Sequence, residues 1–120
     1  MRRPRYRAQA SARDPVASGM SEKALQDTIV QAASYLGYLT YHVPDSRKCQ
    51  GDTGFPDLVI AGHGALFFLE NKAHGEKPTD AQVLWHQALG LVEEPPHVAV
   101  VCPQDLDRIL HMLKAHARTA

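Results

Sequence analysis

The positions Ala24, Leu25, Thr28, Ile29, Ala32, Ala33 and Leu36 recur at helical spacing, which predicts a helix over 22–36 with Ser21 as its N-cap and Gly37 ending it. Residues 38–43 (YLTYHV) alternate and are rich in aromatic and β-branched types, which predicts a strand. The next stretch, PDSRKCQGDTGFP, is polar and broken by Pro and Gly, so it reads as a long loop of the length that functional or mobile loops have. Residues 57–61 (DLVIA) and 65–72 (ALFFLENK) read as two strands of a hairpin around GHG. After a second polar loop, AHGEKP, Thr79 opens a helix to about residue 91, with Pro78 before it and Gln82 at the capping-box position. Residues 97–101 (HVAVV) form a short apolar run, expected as a buried strand. The final segment, PQDLDRILHMLKAHAR, is an amphipathic helix with Leu106, Ile109, Leu110 and Leu113 on one face. The order α-β-β-β-α-β-α predicts an α/β sandwich with a mixed sheet.

The chain has 120 residues, 44% of them apolar and 22% charged, which suits one domain with an ordinary core. We expect that domain over 20–120. Residues 1–19 have no periodicity and read as a disordered basic arm, with Arg2, Arg3, Arg5, Arg7 and Arg13 and no acid before Asp14. Net charge is zero, which is not the balance of a general polyanion binder; affinity for nucleic acid would have to come from uneven distribution. Cys49 and Cys102 lack metal-ligand spacing and read as reduced thiols, which points to a cytoplasmic compartment. No apolar run is long enough for a membrane span, and no Gly-rich loop followed by Lys-Ser/Thr suggests a nucleotide cofactor. The seven histidines show no zinc spacing, and His63 and His74 are expected to be solvated.

The hairpin carries the candidate chemistry. Along the third strand Leu66, Phe68, Glu70 and Lys72 share one face, and Phe67, Leu69 and Asn71 share the other. If His63-Gly64 is a two-residue turn, Gly62 pairs with Ala65 and Asp57 lies opposite Glu70 on the same face. A three-residue turn would set Asp57 against Leu69 and break the cluster. Two adjacent carboxylates repel unless a cation lies between them, and Mg²⁺ suits few carboxylates plus water and phosphate oxygens. With Lys72 able to stabilise charge on a phosphate, the set suits metal-assisted phosphodiester hydrolysis. The plain alternative is an ion pair at an exposed strand end.

The stretches GFPDLVI, FFLENKA and TDAQVLWHQAL, in that order, resemble the PD-(D/E)XK nuclease superfamily, and within it the VRR-NUC branch of small virus-type replication-repair nucleases. The resemblance runs from Ser21 to Val101. It implies a restriction-endonuclease-like sandwich and a Mg²⁺- or Mn²⁺-dependent DNA endonuclease. By the same resemblance, the chain would act as a homodimer on branched DNA such as four-way junctions, in a bacterial or phage-infected cell. Alternatives are a flap, nick or duplex nuclease, a cleavage-deficient DNA-binding subunit, or a protein-interaction domain. Asp57 and Glu70 match the metal-binding acids, Lys72 the catalytic lysine, Gln82 the glutamine of the following helix, which lies near the active site, and Glu22 the acid of the first helix, which also faces the metal. Gln82 is also the natural capping-box partner of Thr79, and both roles are compatible. Glu22 also suits the helix dipole, with Gln26 its rival for the inward position. Asn71 departs from the family pattern, where the middle residue is apolar; it calls for a less buried strand end or a hydrogen-bond partner. Arg47, Lys48 and Lys77 are the expected DNA contacts. Tyr38 and Tyr41 suit either base stacking or a half-buried strand, while Trp85 falls at helical spacing with Leu84, Ala88 and Leu89 and is expected in a core or interface.

Overall fold

A computed structural model describes residues 19–43 and 50–119. Helix α1 spans Glu22–Tyr35 and is capped by Ser21, whose hydroxyl accepts from Ala24 N at 3.1 Å. Its other end is a Schellman motif: Gly37, at φ +92°, donates to Ser34 O, and Tyr38 N donates to Ala33 O. Only a residue tolerant of that φ lets the chain reverse there, and the reversal turns Tyr38 inward. Tyr38 is 4% exposed and its hydroxyl donates to Leu113 O at 2.6 Å, so it is a core residue and not a base-stacking one.

The sheet follows from two hairpin-like connections and one crossover. Strands β1 (Leu39–His42), β2 (Leu58–Gly62) and β3 (Ala65–Asn71) are antiparallel in sequence order. Strand β4 (His97–Val101) pairs parallel with β3, and helix α2 (Asp80–Gly90) provides the crossover that parallel pairing needs. A short 3₁₀ turn at Pro103–Asp105 leads into helix α3 (Leu106–Thr119). This is the predicted element order, and the mixed sheet has the order β1-β2-β3-β4.

The core lies on one face of the sheet. Leu58 and Ile60 of β2, Phe67 and Leu69 of β3, and Val101 of β4 meet Leu25, Ile29 and Ala33 of α1 and Ile109 and Leu113 of α3. Each such side chain contributes about 1.5–3 kcal/mol on full burial. The opposite face is thinner. Helix α2 has no fully buried residue, and Val83 and Leu84 are exposed. Phe68 packs edge-on against Phe55, and Phe55 edge-on against Trp85. Trp85 is therefore part of a wall rather than of the core. Strand β4 also departs from expectation: it is an edge strand in which only Val101 is fully buried. His63 is not solvated, since its Nε2 lies 2.7 Å from Leu36 O and its ring stands edge-on to Tyr38. His74 is exposed and meets Gln104 Oε1 at 3.1 Å. No helix among the described residues is long and apolar enough to cross a membrane.

Gly54 locks α2 to the strand that carries Asp57. Its φ is +96°, and a Cβ there would lie 2.5 Å from the backbone carbon of Ala81. Gly75 has a similar φ of +86° with open space around it. We expect Gly75→Ala to cost about 1–2 kcal/mol from backbone conformation alone, and Gly54→Ala to cost roughly 1–3 kcal/mol more from overpacking. Urea unfolding of both variants measures the difference, and equal losses would contradict the close packing of Gly54 on Ala81.

Candidate active site

The hairpin has the two-residue turn. Gly62 pairs with Ala65, and the register runs through Ile60↔Phe67 to Leu58↔Leu69. His63 and Gly64 have φ of +49° and +74°, the two positive values that a type I′ turn requires. Continued by one residue, this register sets Asp57 against Glu70. Asp57 Oδ2 accepts from Asn71 N at 3.1 Å, which fixes the first carboxylate at the end of β3.

Glu70 is 1% exposed although it is an acid on the thinner face. Helix α2 covers it. The Thr79–Gln82 capping box is formed, with Gln82 N donating to Thr79 Oγ1 and Thr79 N donating to Gln82 Oε1 at 2.8 Å. That second bond decides which way the amide points. With Oε1 occupied by the cap, the amide nitrogen faces the sheet and donates to Glu70 Oε2 at 2.9 Å. Capping and site contact are thus made by one side chain, each half of the amide serving one role.

Burial, first, and then the hydrogen bond and charge of the adjacent Asp57 carboxyl together raise the Glu70 pKa to about 8. Even so, no group among the described residues meets hydrogen-bond geometry with Glu70 Oε1. Lys72 acts the other way on Glu70, Glu22 and Glu76, favouring their charged forms. Lys72 N donates to Val101 O, which carries the β3–β4 ladder one residue past Asn71. Alternation therefore returns the Lys72 side chain to the Glu70 face.

Glu22 is exposed at the start of α1. The Glu76 carboxyl beside it pushes the Glu22 pKa up, and Glu22 in turn pushes that of Glu76 down. Among the described residues no group of three or more His, Cys, Asp and Glu gathers as metal ligands. Glu22 is thus near enough to Glu70 to influence its charge, with Glu76 beside it. Gln26 takes the inward position: its Oε1 accepts from Asn71 Nδ2 at 3.4 Å, giving the buried Asn71 the partner that its place required. Lys77 is exposed in the loop before α2, while Arg47 and Lys48 lie outside the described residues.

A solved structure described as a VRR_NUC domain is similar to this chain with a TM-score of 0.62 and 20% identity, covering 77% of this chain and 97% of that one. The chain has the fold of a VRR-NUC domain. No protein-family model matches it, and no curated protein does. In this VRR-NUC fold, the Asp57–Glu70 pair marks the end of the central hairpin, and a cleft of about 1020 Å³ opens beside Asp57 and Gln82. His42 and Asp57 line both this cleft and a second one of about 490 Å³ that contains Glu22 and Asn71.

Glu76 and His42 were not legible as site residues. Glu76 is one acid in a polar loop, and nothing local distinguishes it from a solvated side chain. His42 is brought to Asp57 by the β1–β2 register, His42↔Leu58, across a loop whose length gives no register signal.

The donor set fits a hard divalent cation: two carboxylates side by side, one with a buried oxygen that has no hydrogen-bond partner among the described residues. Without such an ion the folded protein holds a proton on Glu70 that the unfolded chain releases near pH 4.5, the ordinary value. The folded state therefore binds more protons across the interval from 4.5 to about 8, and stability falls as pH rises through it. In EDTA, thermal melting should show this decline for the wild type and a flatter profile for Glu70→Gln. Parallel slopes for the two proteins would show that Glu70 titrates normally.

Proposed function

We propose that this protein is a metal-dependent DNA endonuclease that hydrolyses phosphodiester bonds, with branched DNA such as four-way junctions as its substrate. The observation that carries the reading is the hairpin register, which sets Asp57 and Glu70 together with Lys72 on their side of the sheet. The likeness to a VRR_NUC domain supports a nuclease-type fold.

Asp57 and Glu70 would hold Mg²⁺ or Mn²⁺. Such an ion, when bound, supplies a water of lowered pKa and polarises a phosphate oxygen. The remaining work falls to side chains. Asn71 N orients the Asp57 carboxylate and the Gln82 amide orients that of Glu70, so neither acid rotates freely. Lys72 places a positive charge beside both acids, where charge develops on the phosphate during in-line attack. Glu22, whose carboxyl feels the Lys72 charge, would face the same ion from the start of α1. Lys77, exposed in the loop before α2, would meet phosphate, and we assign the same role to Arg47 and Lys48.

A homodimer gives two such sites for two strands. Tyr35, Leu39 and Tyr41, at 90%, 78% and 60% exposure, supply apolar surface for association. We place the protein inside the cell, where its DNA substrate is.

The test is cleavage of a labelled four-way junction, a flap and a linear duplex with Mg²⁺, Mn²⁺ or EDTA. Cutting should require the metal and prefer the junction. Lys72→Ala should lower the rate about 10²–10³-fold while leaving the melting temperature nearly unchanged. Metal-dependent cutting that survives Lys72→Ala would place the site elsewhere.

A further inference from the structure

The acid pair occupies only one side of the larger cleft. Trp85 lines it as well, together with Asp52, Thr53 and Phe55. A smaller cleft of about 410 Å³, reaching Leu84 and Ala88, also touches Trp85. The indole therefore stands between two open spaces. Its position is fixed from several directions. Nε1 donates to Asp52 O at 3.4 Å, and Phe55 meets the ring edge-to-face with centroids 4.9 Å apart and planes at 86°. Phe55 in turn meets Phe68 at 5.7 Å and 87°, and Phe68 is two residues from Glu70 on the same face of β3. On α2, Trp85 is nearly one turn beyond Gln82, whose amide bonds Glu70. Strand and helix thus both tie the indole to the acid pair.

The helical spacing that suggested a core position for Trp85 does not lead to one, because α2 buries none of its residues completely. No parallel ring covers the indole among the described residues. Beside the indole the described lining of the larger cleft includes Gly51, Thr53, Gly54 and Phe55, and the open space there admits a flat group.

We propose that Trp85 is a stacking platform that holds one unstacked nucleobase beside the Asp57–Glu70 pair, and so positions substrates with unpaired or splayed bases in preference to continuous duplex. A base inside a duplex is covered on both faces by its neighbours, whereas an unpaired base presents a free face to the indole. The proposal rests on the nuclease reading for its substrate, but it has its own readout. Trp85 is the chain's one tryptophan, so tryptophan fluorescence reports this ring alone.

The experiment titrates the full chain with a labelled oligothymidylate of about 12 nucleotides and with a hairpin-capped duplex of equal nucleotide content. It is run in EDTA and in parallel with Ca²⁺, following tryptophan fluorescence and DNA anisotropy together. The single strand should quench the fluorescence and the duplex should leave it unchanged. Trp85→Leu should weaken single-strand binding about 10-fold or more while duplex binding stays nearly constant, and Trp85→Phe should retain most of the affinity. Single strand that binds without quenching would overturn the platform, as would equal losses on both DNAs in Trp85→Leu. Absence of binding to either DNA would overturn it too. The wild-type fluorescence result stands even if a variant fails to fold. Cutting with Mg²⁺ but without quenching removes the platform alone; quenching without cutting keeps the platform and removes the nuclease reading.

Discussion

The turn at His63-Gly64 sets the geometry on which the rest of the site depends. A type I′ turn needs two consecutive residues in the left-handed region, which glycine adopts freely and histidine does not. The conformation at His63 is held from outside the hairpin, by the contact of its ring with Leu36 O just before the Schellman reversal and by its edge-on packing against Tyr38. Helix α1, the reversal and the hairpin are therefore one coupled unit. A shift of one residue in that turn would move the apolar side chains of β3 away from the helices, and would separate Asp57 from Glu70.

The two faces of the sheet divide stability from chemistry. Helices α1 and α3 close a largely apolar core on one side, with the Asn71–Gln26 pair at its end. On the other side α2 makes lighter contacts, and its attachment relies on Gly54 against Ala81 and on the Gln82–Glu70 bond. Covering an acid with a helix is costly unless the acid is bonded, protonated or matched by a cation. Glu70 has one bonded oxygen and one with no hydrogen-bond partner among the described residues, at the place where a cation would relieve the charge. Glu22 and Glu76 form a second pair of carboxyl groups, at the surface, where the Lys72 charge favours the ionised form of each.

Gln82 joins the start of α2 to the acid pair. A capping box is a local device, complete within four residues, and its ordinary effect is to start a helix. Here it also selects the orientation of an amide, and that orientation delivers a hydrogen-bond donor to a buried carboxylate. The aromatic chain from Phe68 through Phe55 to Trp85 runs beside it, so helix start, acid pair and indole share one rigid frame.

The sequence by itself determined the features that short-range geometry controls. The element order, the Ser21 and Thr79 caps, the stop at Gly37 and the two-residue turn all follow from residues within one turn of each other. Once the turn was two residues long, the alternation of β3 placed Asp57 and Glu70 together without further information. Tertiary structure decided whatever depends on elements far apart in the chain. It placed Gln26 rather than Glu22 against Asn71, brought Glu76 beside Glu22, put His63 on Leu36 O, left β4 at an edge and left Trp85 in a cleft wall. Periodicity reports which face of an element is apolar but not what lies opposite it. An indole at core spacing becomes a cleft wall when its helix covers the thin side of a sheet, and only the packing of α2 against the hairpin reveals that.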